Sequence, residues 1–152
     1  AMNRQSVYAL LIDLSNQRIG VNLKDATMPT KLRQWEGTIC FFGGAIEDGE
    51  DERMAMKREL EEEIPGFCTE EEIASMHLIF RIGELTFFGI HTSLSGGKTD
   101  RSTSRIGQLA RACQEGDGVV RSFDFLMRTN SENFSDHRMQ HAIARIVNST
   151  GV

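Results

Sequence analysis

Gly44-Ala45-Ile46-Glu47-Asp48-Gly49-Glu50-Asp51-Glu52-Arg53-Met54-Ala55-Met56-Lys57-Arg58-Glu59-Leu60-Glu61-Glu62-Glu63 is the stretch on which the fold turns. A short apolar run, Thr38 to Phe42, leads into it as a strand and stops at Gly43-Gly44, where the chain must turn. From Asp51 to Ile64 the period becomes helical. Arg53, Met56, Leu60 and Ile64 share one face, while Glu52, Glu59, Glu62 and Glu63 lie roughly opposite. Pro65-Gly66 ends the helix, because a residue before proline is pushed out of the helical region.

Glu59, Glu62 and Glu63 stand at i, i+3 and i+4, so their carboxylates emerge within about one helical turn. Such crowding is unfavourable by itself and invites a compensating cation. Hard carboxylate oxygens favour Mg²⁺ or Mn²⁺ over thiophilic metals. The alternative from composition alone is a solvated acidic face. The spacing upstream separates the two. Gly44 is followed after five residues by Glu50, and after seven more by Arg58-Glu59-Leu60-Glu61-Glu62-Glu63, with the small Ala55 three before the arginine. This resembles the box of the Nudix hydrolases: Gly, five residues, Glu, seven residues, Arg-Glu-apolar-any-Glu-Glu, then any-Gly-apolar. The ending departs from that pattern, reading Ile64-Pro65-Gly66-Phe67 as though one residue were inserted before the glycine. The change lies beyond the carboxylates and is expected to alter the following loop and spare the metal site.

The resemblance implies an α/β/α sandwich around a mixed central sheet, and hydrolysis of a phosphoanhydride with Mg²⁺ or Mn²⁺ as cofactor. Its substrates are nucleoside diphosphates joined to another group, such as nucleoside triphosphates or nucleotide sugars. It also implies that Glu59, Glu62 and Glu63 are metal ligands, joined by the backbone carbonyl of Gly44, and that Glu50 pairs with Arg58. A guanidinium makes a planar fork to a carboxylate, which would lock loop against helix. The base is left among Glu59, Glu62 and a carboxylate outside the box, for which Glu115 in Cys113-Gln114-Glu115-Gly116 resembles the Glu-Gly of some relatives. Many relatives pair as dimers, so a homodimer is one expectation. A Nudix-fold module that senses a nucleotide without turnover is the rival function, for which degraded box carboxylates are expected; here they are present.

Outside the box, Trp35 and Phe42, together with Phe41, Phe87 and Phe88, are candidates to stack a base, although aromatic residues in strands are usually core. Arg33 and Arg81 are candidates to hold phosphate, as are Lys98, Arg101 and Arg105. Gly97-Lys98-Thr99 lacks the earlier glycine of a P-loop, and His137 and His141 share a helical face without a third zinc ligand.

The rest of the chain fits one domain. Its 152 residues suffice for one core. Ser6 to Leu14 and Arg18 to Leu23 read as paired strands, as do His77 to Gly83 and Leu85 to Ser93. Thr69 to Ser75 reads as a short helix, Ser95 to Arg105 as a polar loop, and Val119 to Met127 as a strand running into a turn. Asp136 to Asn148 reads as a second amphipathic helix capped by Asp136. The net charge of -5 argues against generic nucleic-acid or anionic-membrane binding. No apolar run approaches the roughly 20 residues of a membrane span. Cys40, Cys68 and Cys113 form no CxxC, which fits a reducing cytoplasm. Ala1, ahead of Met2, reads as a cloning remnant.

Overall fold

A computed structural model describes residues 4–24, 37–95 and 104–150. Strand β1 (Ser6–Asp13) is apolar on both faces: Val7, Ala9 and Leu11 are buried on one side, Leu10 and Ile12 on the other. A strand of that kind belongs in the middle of a sheet covered on both sides. One edge of β1 pairs in parallel with β6 (Leu85–His91) from Ser6 to Ile12. Its other edge is shared by two antiparallel partners, β4 (Phe42–Ala45) along Ser6 to Ala9 and β2 (Arg18–Leu23) along Leu11 to Asp13. β5 (His77–Ile82) extends the sheet beyond β6, while β3 (Ile39–Cys40) and β7 (Asp117–Ser122) pair with β2. The result is a seven-stranded mixed sheet.

Helices cover both faces. α1 (Glu52–Glu63) places Ala55, Met56 and Leu60 against Val7, Ala9, Leu11, Phe42 and Phe88, and Leu109 of α3 (Arg105–Ala112) joins the same core. α2 (Glu70–Ala74) starts in a capping box between Thr69 and Glu72. On the opposite face α4 (Phe123–Arg128) and α5 (Met139–Ser149) bury Phe123, Leu126, Ala142, Ile143 and Ile146 against Leu10, Ile12, Ile19, Phe41 and Phe87. The three-layer α/β/α arrangement expected from the box is therefore present.

Three local expectations need correction. The run Thr38 to Phe42 is not one strand, because the chain passes from pairing with β2 to pairing with β1 at Phe41. The strand expected over Val119 to Met127 stops at Ser122, whose hydroxyl accepts the Phe125 N–H and starts α4. α5 begins at Met139, not Asp136, since the Asp136 carboxylate is engaged by the backbone and guanidinium of Arg138.

Arg138 also makes a fork to Glu84 in the β5–β6 turn, at 2.8 and 3.2 Å, and so ties that turn to α5. The guanidinium holds the carboxyls of Asp136 and Glu84 below their usual ranges. Both stay ionised in the fold where the unfolded chain already takes up protons. Their stabilisation is complete above the ordinary carboxylate range and is lost as pH falls through the lowered values. Arg138→Gln is expected to melt earlier near neutral pH and to lose less on acidification from about pH 6 to about pH 3, as read by melting temperature. Equal acid sensitivity in both proteins would refute this.

Candidate functional site

The turn between β4 and α1 is built by the box residues themselves. Glu50 accepts the Glu47 N–H with one carboxylate oxygen, closing the loop, and Asp51 caps α1 by accepting the Met54 N–H. Arg58, one turn before the end of α1, reaches back across the loop. Its Nε and Nη2 donate to the two oxygens of Glu50 at 2.7 and 3.0 Å, and Nη2 donates also to the Ala45 carbonyl at 3.0 Å. The Glu50–Arg58 pair that the resemblance implies is formed, and it is bidentate. The third nitrogen, Nη1, donates to Glu59 at 3.1 Å and to Glu62 at 3.2 and 3.3 Å.

The carboxylates of Glu59, Glu62 and Glu63 face a cavity of about 280 Å³ whose wall also includes Gly43, Lys24, Gln114 and Glu115. Glu115 arrives from a distant part of the sequence for a local reason: the Gln114 N–H donates to the Glu63 backbone carbonyl at 3.0 Å. The Cys113 thiol donates to the Glu115 carbonyl at 3.4 Å and holds the same loop. Glu59 lies directly on the Gly44 backbone, where an added Cβ would come within 2.7 Å of its Oε1. Only glycine allows that approach.

Burial raises the proton affinity of Glu59, against the pull of Arg58. Glu63 is deeper still. Burial, then the neighbouring charge of Glu59, push its carboxyl up to about 8, with the Lys24 charge and then the Gly43 N–H in partial opposition. Its Oε2 is buried without a hydrogen-bond partner. Such an atom normally has one, so an orphaned acid oxygen beside other carboxylates asks for a cation.

Among the described residues no three His, Cys, Asp or Glu side chains are already closed on a common point as a metal site. The physical reason is visible in Arg58, whose Nη1 sits between Glu59 and Glu62 and takes their oxygens. The donor set nonetheless fits a hard divalent cation: carboxylates only, one with an unpartnered buried oxygen, crowded against a glycine backbone. The Ile64-Pro65-Gly66 exit leaves this grouping in place. Ile64 closes α1 onto the Leu60 carbonyl, Phe67 bonds back to Ile64, and both side chains are buried on the core side of the helix.

Several other candidates are placed elsewhere. Phe42 is fully buried under α1 and is a core residue, not a substrate contact; Phe41, Phe87 and Phe88 are core as well. Central strands covered on both sides bury their aromatics whichever way they point. Arg81 is placed apart from this cavity, where it pairs with Glu52. Arg105 pairs with Glu72 and lies 4.0 Å over the Phe67 ring. Arg33, Trp35, Lys98 and Arg101 lie outside the described residues. His141 stacks on Phe80. Lys24 and Gln114 escaped the sequence reading. Lys24 was detectable: continuing the alternation of β2 past Leu23 puts it on the face of Asn22, away from the α4–α5 core.

No family model matches the sequence, and no curated protein matches it. Solved structures do. A MutT from work on Aliivibrio salmonicida and Vibrio cholerae is 22% identical with a TM-score of 0.53, over 93% of this chain and 98% of that one. The Escherichia coli dihydroneopterin triphosphate pyrophosphohydrolase is 11% identical with a TM-score of 0.56, over 98% and 99%. A Nudix hydrolase from Nitrosomonas europaea is 14% identical with a TM-score of 0.56, over 96% and 89%. At such identities the likeness is one of fold.

Proposed function

We propose that this chain, whose fold is that of the Nudix hydrolases, is a divalent-metal-dependent pyrophosphohydrolase acting on a nucleoside diphosphate linked to another group, with water attacking phosphorus. The observation that carries this is the convergence of Glu59, Glu62, Glu63 and Glu115 on one cavity against Gly43 and Gly44. Cleavage of a phosphoanhydride is supported by a neighbour of the same fold that is named a dihydroneopterin triphosphate pyrophosphohydrolase.

Glu59, Glu62, Glu63 and the Gly44 carbonyl would hold the cation. Mg²⁺ or Mn²⁺ there supplies countercharge to phosphoryl oxygens and makes a water easier to deprotonate. The chain does the rest by positioning. Arg58 and Glu50 fix the loop relative to α1, so that a shift of one carboxylate is resisted by the fork and by the Ala45 carbonyl. Glu115, brought to the opposite wall by the Gln114 bond, is a candidate to take the proton of the attacking water, alongside Glu59 and Glu62. No helix among the described residues is long and apolar enough to cross a membrane, and a small diffusible substrate fits a cavity of this size.

Nucleoside triphosphates, nucleotide sugars and dinucleoside polyphosphates assayed with Mg²⁺ or Mn²⁺ test this. Turnover of at least one class is expected, abolished by a chelator and restored by adding back the cation. Binding without turnover across the whole panel would favour the sensing module instead.

A further inference from the structure

A second cavity, of about 350 Å³, lies at the other end of β1 from the glutamates. Gly44 pairs with Val7 near the start of that strand, whereas Ile12 and Leu14 at its end line this cavity, which shares no lining residue with the acidic one. His77 opens β5, His91 closes β6, and Arg145 comes from α5. Beside these basic side chains Leu14 and Leu78 are 43% and 44% exposed. The cavity thus joins positive charge to open apolar surface. It also sits at the carboxyl ends of the parallel pair β1 and β6, where Ile12 meets His91, and α/β sheets bind their ligands at such ends.

No carboxylate lines this cavity, although the chain carries a net charge of -5. Among the described residues neither histidine nor Arg145 forms an ion pair; Arg145 packs over the Phe80 ring at 4.7 Å. Asp13, the acid next to Leu14, is taken by the N–H groups of Asn16 and Leu94. The two imidazoles stack at 5.0 Å with their planes 16° apart. Parallel rings do not turn their nitrogens to one point, so a shared metal ion is disfavoured. The His77 Nδ1 lies 3.1 Å from the Ser75 carbonyl, which can only accept, so Nδ1 carries its proton and Nε2 is the nitrogen that gains one when the ring is charged. The negative end of α5 is offset, because the Ser149 and Thr150 hydroxyls donate to the Ile146 and Val147 carbonyls.

We propose that this cavity is a second binding site, for a small organic acid whose carboxylate is held by Arg145, His77 and His91 and whose apolar body covers Leu14 and Leu78. A guanidinium offers a carboxylate a planar fork, and a protonated imidazole adds a charge-assisted hydrogen bond. An inorganic anion would leave the leucines in water, and an uncharged apolar molecule would leave the basic groups unpaired. The volume falls within the roughly 300–1,000 Å³ of small-molecule sites.

Naphthoate, naphthylmethanol and acetate titrated into the full chain test this, with binding read by calorimetry and by the histidine ring resonances in NMR spectra. Chelator is present throughout, so the outcome is independent of the hydrolase reading. Naphthoate is expected to shift the His77 and His91 resonances saturably and to leave those of His137 in place. Naphthylmethanol, which lacks the charge, and acetate, which lacks the apolar body, should each bind at least about tenfold more weakly. Arg145→Gln should weaken naphthoate by about tenfold, in line with loss of a charge-assisted fork, and Arg145→Lys by less. Arg128→Gln, whose arginine pairs with Asp124 on α4, should match the unmodified chain. Naphthylmethanol binding as well as naphthoate would overturn the proposal by making the cavity a plain apolar cleft. So would naphthoate binding that leaves His77 and His91 unshifted, or undiminished affinity in folded Arg145→Gln. The comparison of probes on the unmodified chain decides the matter even if a variant fails to fold.

Discussion

Glu59→Gln is expected to lower turnover by roughly a thousandfold, the scale seen when a group that stabilises transition-state charge is removed. The amide keeps the shape of the side chain, so it still fits over Gly44 and its oxygen still accepts from Arg58. It lacks the negative charge that a cation needs. The same change should leave the metal-free protein as stable as before or more so, because Glu59 is partly buried and its charge works against the ionisation of Glu63. Activity and stability then move in opposite directions, as expected where a functional site is held at a cost to the fold. Steady-state kinetics with Mg²⁺ beside thermal melts in chelator would read both. Near-normal turnover in Glu59→Gln would remove it from the ligand set.

Gly43→Ala carries the largest expected loss of stability, about 3 kcal/mol or more, the range of backbone clashes and severe overpacking. Gly43 faces Tyr8 across the β1–β4 pair. A Cβ there would meet the Val7 carbonyl oxygen at 2.0 Å and the Tyr8 Cα at 2.8 Å. Both atoms belong to the backbone of the central strand, so no side chain can move aside. Relief means parting β4 from β1, which also displaces Gly44 and the loop leading to Arg58. At Gly44, by contrast, the nearest atoms are the flexible end of Glu59. Urea unfolding midpoints would measure the effect; an unchanged midpoint would mean that β4 does not pair with β1 in this register.

Much of the site was legible in advance because its parts are close in sequence. The i, i+3, i+4 spacing puts Glu59, Glu62 and Glu63 on one edge of a helix whatever the helix packs against. The Glu50–Arg58 pair that the resemblance implies also forms. Strands β1, β2, β5 and β6 were similarly readable from apolar runs broken by turn residues. Helix α3 was not recognised, although Ser104 is a cap and Ile106, Leu109, Ala110 and Cys113 recur at helical spacing. Gly107 and the polar approach obscured it.

By itself the sequence determined the strand–turn–helix with its acidic edge, since period and spacing are properties of the local chain. Only the tertiary structure decided which groups that edge would face. Phe42 and Arg81 were lost to the core and to an ion pair, and Lys24 and Glu115 were brought in by the end of β2 and by the Gln114–Glu63 backbone bond. A side chain's chemistry is written where it stands in the chain; its neighbours depend on which strands pair, and that is settled by burying both faces of the sheet at once.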